Sequence, residues 1–321
     1  MSGAAPVLEV EDLVKHYQVG RRLVGGGATV HAVDGVSLAL QEGEMLGLVG
    51  ESGSGKSTLA NCIVRLVEPS AGAIRLHGQD ITHLSARKLR PLRRQLHMVF
   101  QDPYSSLNPR MTTGQIVGEP LRLHGLARGK AVDGRVAEVF DRVGLRPEVL
   151  VADEPVSALD VSVQASILNL LRDLQAELGF SCLFITHDLA TVEYLCDRVA
   201  VMYLGQIVEL ADRRDLFREA QHPYTQALLS AALVPDPTVQ RTRRRIVLDG
   251  DVPSPLAPPS GCRFHTRCPL HERSAPASDV EQPVLREYAP GHLVACHLVE
   301  PGRAAPRLAD DPADIVSAEA R

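Results

Sequence analysis

One stretch constrains this chain more than any other: Gly50-Glu51-Ser52-Gly53-Ser54-Gly55-Lys56-Ser57, set between an unbroken apolar run and a helical pattern. Met45-Leu46-Gly47-Leu48-Val49 reads as a short strand covered on both faces, and Ser57 to Val67 has helical spacing that stops before Glu68-Pro69-Ser70. Glycines let the backbone wrap so closely that successive N–H groups face one anion, and the helix N-terminus adds positive potential. A glycine-rich turn with a chance Lys-Ser is the alternative, and the strand-to-helix setting argues against it. The spacing Gly-x₄-Gly-Lys-Ser therefore predicts a nucleoside triphosphate, ATP, over Gly50, Ser52, Gly53, Ser54, Gly55, Lys56, Ser57 and Thr58. Lys56 would reach the β- and γ-phosphates and Ser57 would ligate Mg²⁺.

Further along, Val149-Leu150-Val151-Ala152 ends in Asp153-Glu154. Two carboxylates closing a buried strand are either solvated caps or a metal-and-water site. With a phosphate loop upstream the second reading gains, because phosphoryl transfer needs metal ligands facing the phosphates. Asp153 is then a Mg²⁺ ligand and Glu154 the group that polarises water. His187 follows the strand Cys182-Leu183-Phe184-Ile185 and is placed to meet the γ-phosphate; in isolation it is an ordinary strand-end histidine.

The predicted order of elements is that of an α/β protein with a P-loop NTPase, RecA-like core. Val7 to Tyr17 and Val30 to Leu40 alternate apolar and polar residues around Gly25-Gly26-Gly27, which predicts an antiparallel β subdomain. The β-rich runs at Val149 and Cys182 flank a helix from Val163 to Leu178, the pattern of a βαβ unit in a parallel sheet. Between them in the chain, about 103–147, lies a shortened helical insertion with apolar residues at Val132, Val136, Val139, Phe140 and Val143. The expected divisions are a nucleotide-binding domain over 1–233, a proline-rich, loop-rich extension over 234–299, and a disordered tail over 300–321.

Composition narrows the partners. Hydrophobic residues at 45% and charged residues at 23% are those of a chain that folds around a core. A net charge of −5 provides no basic field for a nucleic-acid backbone, and Arg241, Arg243, Arg244 and Arg245 read as a local cluster in a linker. The longest apolar stretches, such as Ala227 to Val234, fall short of the roughly 20 residues that span a bilayer. A cytoplasmic location is expected, with Cys62, Cys182 and Cys196 as reduced core thiols.

Taken in order, the phosphate loop, Gln101, Asp153-Glu154, Ser157-Ala158-Leu159-Asp160 and Thr186-His187-Asp188 resemble the ATPases of ABC transporters. The likeness runs from about Val7 to Leu233. It implies that Tyr17 stacks on adenine, where the residues alone allow a cross-strand aromatic. It further implies that Gln101 senses Mg²⁺, Glu154 is the catalytic base, His187 stabilises the γ-phosphate and Asp160 lies at a dimer contact. The strings Val99-Phe100-Gln101-Asp102-Pro103-Tyr104-Ser105-Ser106-Leu107-Asn108-Pro109 and Gln221-His222-Pro223-Tyr224-Thr225 are similar to the dipeptide/oligopeptide branch and its nickel-import relatives. That resemblance implies a peripheral ATPase on the cytoplasmic face of the cell membrane. Its partners would be a second ABC ATPase subunit, membrane permease subunits and an extracytoplasmic peptide-binding protein.

Gly261-Cys262-Arg263-Phe264-His265-Thr266-Arg267-Cys268-Pro269 is similar to that branch's cysteine-bearing tail, whose four-cysteine versions hold an iron–sulfur cluster. Here only Cys262, Cys268 and Cys296 remain, and the fourth thiolate falls near Ser274. The ligand count favours a structural tail with no stable cluster; His265, His271 or His292 as the fourth ligand is the alternative.

The same family carries a Leu-Ser-Gly-Gly-Gln-type signature loop and a helix before the Asp-Glu strand, and no Ser-Gly-Gly-Gln occurs in this chain. Only Arg146-Pro147-Glu148 separates Val143-Gly144-Leu145 from Val149. A helix of about fifteen residues spans about 22 Å, and three extended residues reach about 10 Å. A displaced or poorly ordered helical subdomain is therefore expected. In such ATPases each signature loop completes the partner's site, so this chain can receive a signature and cannot give one. Two other readings stay open: a nucleotide-binding subunit that does not hydrolyse, and a soluble ABC ATPase acting on nucleic acid or ribosomes.

Overall fold

The computed structural model describes residues 5–20, 27–101, 148–157, 159–231, 245–303 and 308. The shortened helical insertion and the expected displacement of its helices fall outside the described residues, as do the arginine cluster up to Arg244 and almost all of the expected disordered tail. The one described residue of that tail beyond 303, Leu308, is buried, and its N–H donates to Gln226 Oε1 at 2.9 Å.

Two sheets organise the chain. The smaller is antiparallel, in the order β2-β1-β4-β5, from Leu8–Val19 (β1), Ala28–Leu40 (β2), Ala71–Leu76 (β4) and Gln79–Asp80 (β5). The larger has eight strands in the order β11-β12-β10-β9-β3-β8-β7-β6. Its parallel core is Leu96–Val99 (β6), Val149–Asp153 (β7), Ser181–Ile185 (β8), Met45–Val49 (β3) and Arg198–Tyr203 (β9). Gln206–Asp212 (β10), Arg286–Ala289 (β11) and His292–Val294 (β12) continue it antiparallel. The strand runs read as continuous apolar sequence because alternate residues feed two cores. Leu46, Leu48, Leu183 and Ile185 face one cluster, with Leu59 and Ile63 of the helix Lys56–Ile63 (α1) and Leu89 of the helix Ala86–Leu92 (α2). Met45, Val49, Cys182 and Phe184 face the other, beneath the helices Val161–Leu178 (α3) and Leu189–Leu195 (α4).

Two expectations are adjusted. Helix α1 ends at Ile63, earlier than the apolar spacing to Val67 suggested. Arg65 turns to φ +56°, and the N–H groups of Leu66 and Val67 double back to Asn61 O. The extension is also more than loops: β11 and β12 join the main sheet through β10, pairing Glu209 with Val294 and Leu210 with Leu293. Cys62, Cys182 and Cys196 are free thiols in the core, as read from the sequence.

Candidate nucleotide site

Parallel strands deliver their following residues to one edge of a sheet, which is where α/β proteins bind ligands. Here β3 delivers the glycine loop, β6 delivers Gln101, β7 delivers Asp153-Glu154 and β8 delivers His187. The loop conformation requires glycine at two points in particular. A Cβ on Gly50 (φ +158°) would stand 2.2 Å from Met202 O, and one on Gly55 (φ +104°) 2.1 Å from Ala32 O. No side chain fits either place.

Lys56 is 6% exposed. Its ammonium donates to Gly50 O at 2.8 Å, Glu51 O at 2.9 Å and Ser54 Oγ at 3.3 Å, so the loop closes round the cation with its own oxygens. Burial pulls the lysine's pKa down, against the attraction of Glu154, Asp153 and Glu51. Ser57 Oγ donates to Asp153 Oδ1 at 3.2 Å, which sets two hard oxygen donors side by side. Burial, then the charge of Glu154, pushes the Asp153 carboxyl up, while Ser57 and Lys56 draw it down. A buried carboxylate with one serine hydroxyl beside it is a pair of hard oxygens that fits Mg²⁺.

Glu154 follows at φ +46°, a left-handed conformation rare outside glycine, with its N–H held by Ile185 O at 2.9 Å. Its two oxygens take different partners: Gln101 Nε2 donates to Oε2 at 2.9 Å, and His187 Nδ1 lies 3.2 Å from Oε1. The structure thus brings together Lys56, Ser57, Asp153, Glu154, Gln101 and His187. Ser52 and Gly53 are exposed on the loop, Ser54 is buried under it, and Thr58 is half-buried at the first turn of α1.

Two further sequence-predicted residues make contacts outside this network. Tyr17 is 36% exposed on β1, paired across to Val30, with Lys15 Nζ 4.9 Å from its ring centroid. Asp160 is exposed at the start of α3, where its carbonyl accepts from Gln164 N.

Sequence reasoning missed the loop's supports. Tyr224 Oη accepts from Glu51 N at 2.9 Å, and Arg267 Nη1 reaches Glu51 Oε2 at 3.0 Å. Tyr203, Tyr224 and Phe264 stack beside them, with ring centroids 4.7 to 5.5 Å apart. The Gln221-to-Thr225 string and the cysteine tail therefore brace the glycine loop.

Cys262, Cys268 and Cys296 line one cavity together with Ser274 and His265, and the space between has room for about one water. Burial pushes the Cys268 thiol up to about 12 and Cys296 up to about 11, and raises Cys262. Of the alternative fourth ligands, His271 is engaged by Asp279 at 2.6 Å and His292 by Glu209 at 2.7 Å. Three thiols and a serine are one thiolate short of a four-cysteine cluster, and of the three alternative histidines only His265 lines the same cavity.

A phosphate-type loop opening a helix over a parallel sheet, with paired acids two strands away, defines a P-loop ATPase. The ABC transporter family matches residues 33–160, and the C-terminal region of oligopeptide/dipeptide transporters matches 208–274. The oligopeptide transport ATP-binding protein AppF of Bacillus subtilis is 44% identical, covering 91% of this chain and 97% of its own length. A Brucella ovis protein provisionally named a peptide import ATP-binding protein is 49% identical, with the same coverages. A dimeric ATP-binding cassette solved after hydrolysis with ADP and Pi shares the fold, with TM-score 0.56 at 24% identity over 64% of this chain and 99% of that one. The chain belongs to the ABC-transporter ATPases, in the oligopeptide/dipeptide branch, and is an ATP-binding protein of the hydrolysing kind.

Proposed function

We propose that this chain is the ATP-hydrolysing subunit that energises import of di- or oligopeptides, working on membrane permease subunits with peptide captured by a separate extracytoplasmic binding protein. The observation that carries the reading is the convergence of Gln101 and His187 on Glu154, beside Lys56 and Asp153. Ser57, Asp153 and Gln101 are the residues that would hold Mg²⁺, which supplies charge neutralisation at the phosphates when bound. Lys56 exchanges its three loop oxygens for phosphate oxygens. Glu154 orients and polarises water, with His187 and Gln101 fixing its two oxygens, and Tyr17 offers its exposed face to adenine.

Among the described residues no helix is long and apolar enough to cross a membrane. A peripheral position on the cytoplasmic face, beside permeases, accords with that. Partnership with a second ATPase subunit follows from the missing signature loop. The Brucella ovis alignment has 319 positions yet takes in 91% of this 321-residue chain, so that relative has residues without a counterpart here. In a heterodimer the site on Lys56 and Glu154 takes a signature from the partner, with Asp160 at the contact, while the partner's own site lacks one. The cysteine cavity acts as packing, with no cluster; stoichiometric iron and acid-labile sulfide in anaerobically prepared protein would overturn that.

The test is hydrolysis by the reconstituted transporter carrying Glu154→Gln in this subunit. Loss of turnover with ATP binding retained is the expected result. Unchanged turnover would show that the partner's site is the motor.

A further inference from the structure

A second cluster of donors stands on the antiparallel sheet, outside the nucleotide site. His16 of β1 and His31 and Asp34 of β2 each offer one atom, and the three atoms lie within 4.8 Å of one another. His16 Nε2 is 3.1 Å from Asp34 Oδ1, His31 Nδ1 is 3.6 Å from Asp34 Oδ2, and the two imidazole centroids are 4.1 Å apart. All three side chains are a quarter to a third exposed, so the cluster lies near the surface although His31 Nδ1 itself is covered.

The backbone builds this cluster deliberately. Val14 pairs with Asp34 and Lys15 with Val33, and an unbroken ladder would then set Ala32 opposite His16. A register shift skips Ala32 and pairs His16 with His31 instead. Because side chains alternate across a strand, the bulge turns His31 onto the face that His16 and Asp34 share. His31 N–H, displaced from the ladder, is satisfied by Pro255 O at 2.9 Å. Its side chain is left unsatisfied: Nδ1 is buried from solvent with no hydrogen-bond partner among the described residues. An unpartnered imidazole nitrogen aimed at a carboxylate and a second imidazole is the pattern of a metal ligand without its ion.

We infer that His16, His31 and Asp34 form a site for a borderline divalent cation of the Zn²⁺ class, with a fourth position open to water. Two imidazoles and one carboxylate suit such ions, whereas Mg²⁺ and Ca²⁺ prefer oxygen donors throughout. Asp34 is held as metal-binding carboxylates are: Arg263 Nη2 bonds its Oδ2, and Oδ1, which His16 Nε2 already meets at 3.1 Å, is the oxygen that would share an ion with that imidazole. Arg263 also bonds Leu204 O, and Asp34 N–H donates to Gly205 O at 2.9 Å. The site thereby ties the small sheet to the turn after β9 and to the extension. It also abuts the nucleotide loop, since the carbonyl of the skipped Ala32 is the atom pressed against Gly55.

The untagged full chain, free of nucleotide, is titrated with Zn²⁺ by calorimetry and with Co²⁺ by absorption. One ion per chain is expected, weakened at least about tenfold in His31→Phe and in His16→Gln and unchanged in Cys262→Ser. The Co²⁺ complex of the unmutated chain should show d–d bands without a thiolate charge-transfer band. Loss of those bands in Asp34→Asn decides the matter even if a histidine variant folds poorly. Absence of binding, a thiolate band, or affinity indifferent to both histidine changes in folded protein would each overturn the site.

Discussion

Asp153 and Glu209 are both carboxylates buried in the same sheet, and they are treated in opposite ways. Glu209, fully buried in β10, is saturated: Gln221 N donates at 2.7 Å, His222 N at 3.0 Å, and His292 Nε2 lies at 2.7 Å. Asp153, 4% exposed, has one hydroxyl at 3.2 Å and a second acid for a neighbour. Glu154 is held in a left-handed conformation between two exposed partners. A structural carboxylate has its lone pairs filled by the chain itself. A ligand-binding one keeps lone pairs open, as Asp153 does, or meets exposed partners that can be exchanged, as Glu154 does, and bears desolvation or strain meanwhile.

The contrast breaks first at Glu209. Glu209→Ala leaves two buried backbone N–H groups and an imidazole without an acceptor, and should cost about 4 kcal/mol of stability. Chemical denaturation measures it, and an unchanged midpoint would mean that water replaces the carboxylate. Glu154→Gln should do the reverse. Hydrolysis in the assembled transporter falls about 10²–10³-fold, while the denaturation midpoint stays put because both partners of Glu154 can be hydrated. A large loss of stability in Glu154→Gln would erase the distinction between the two acids.

The third effect is on pH. Burial holds the His222 imidazole down at about 4, with Glu209 opposing, and Nδ1 accepts from Tyr224 N at 3.1 Å. The unfolded chain binds this proton at about 6.5, so its contribution is complete above that pH. It is lost progressively as pH falls from about 6.5 to about 4, roughly 3 kcal/mol in all. Thermal unfolding of the parent chain should therefore weaken between pH 7 and pH 5 more steeply than that of His222→Asn. Parallel curves would place the titration elsewhere.

What was legible in the sequence follows the same divide. The loop at Gly50–Ser57, the Asp153-Glu154 strand end and the helix between β7 and β8 are written in consecutive residues, where period and spacing report directly on structure. Lys56, Ser57, Asp153, Glu154, Gln101 and His187 duly meet. Contacts made across the fold leave no such trace. Tyr224 meets Glu51 across 173 residues and Arg267 meets it across 216. The pairing of His16 with His31 depends on a skipped residue that no alternation pattern marks. The end of α1 is hidden for a related reason: Leu66 and Val67 continue the apolar spacing, but the left-handed Arg65 has already turned the chain.

Arg267 probes whether the extension belongs to the open site or to the saturated region. It is largely buried, at 9% exposure, and meets Glu51 of the glycine loop, which is 28% exposed and rehydrates when the arginine is lost. The loop keeps its bond from Glu51 N to Tyr224, so Arg267→Ala should loosen the cradle without unfolding it. ATP affinity is expected to fall about tenfold, or about 1.4 kcal/mol. Arg267→Lys should recover only part of this, since an ammonium on a flexible stem lacks the fixed fork of a guanidinium. Fluorescent ATP-analogue titration reads both variants. Undiminished affinity in Arg267→Ala would assign the contact to packing and leave the extension on the saturated side of the comparison.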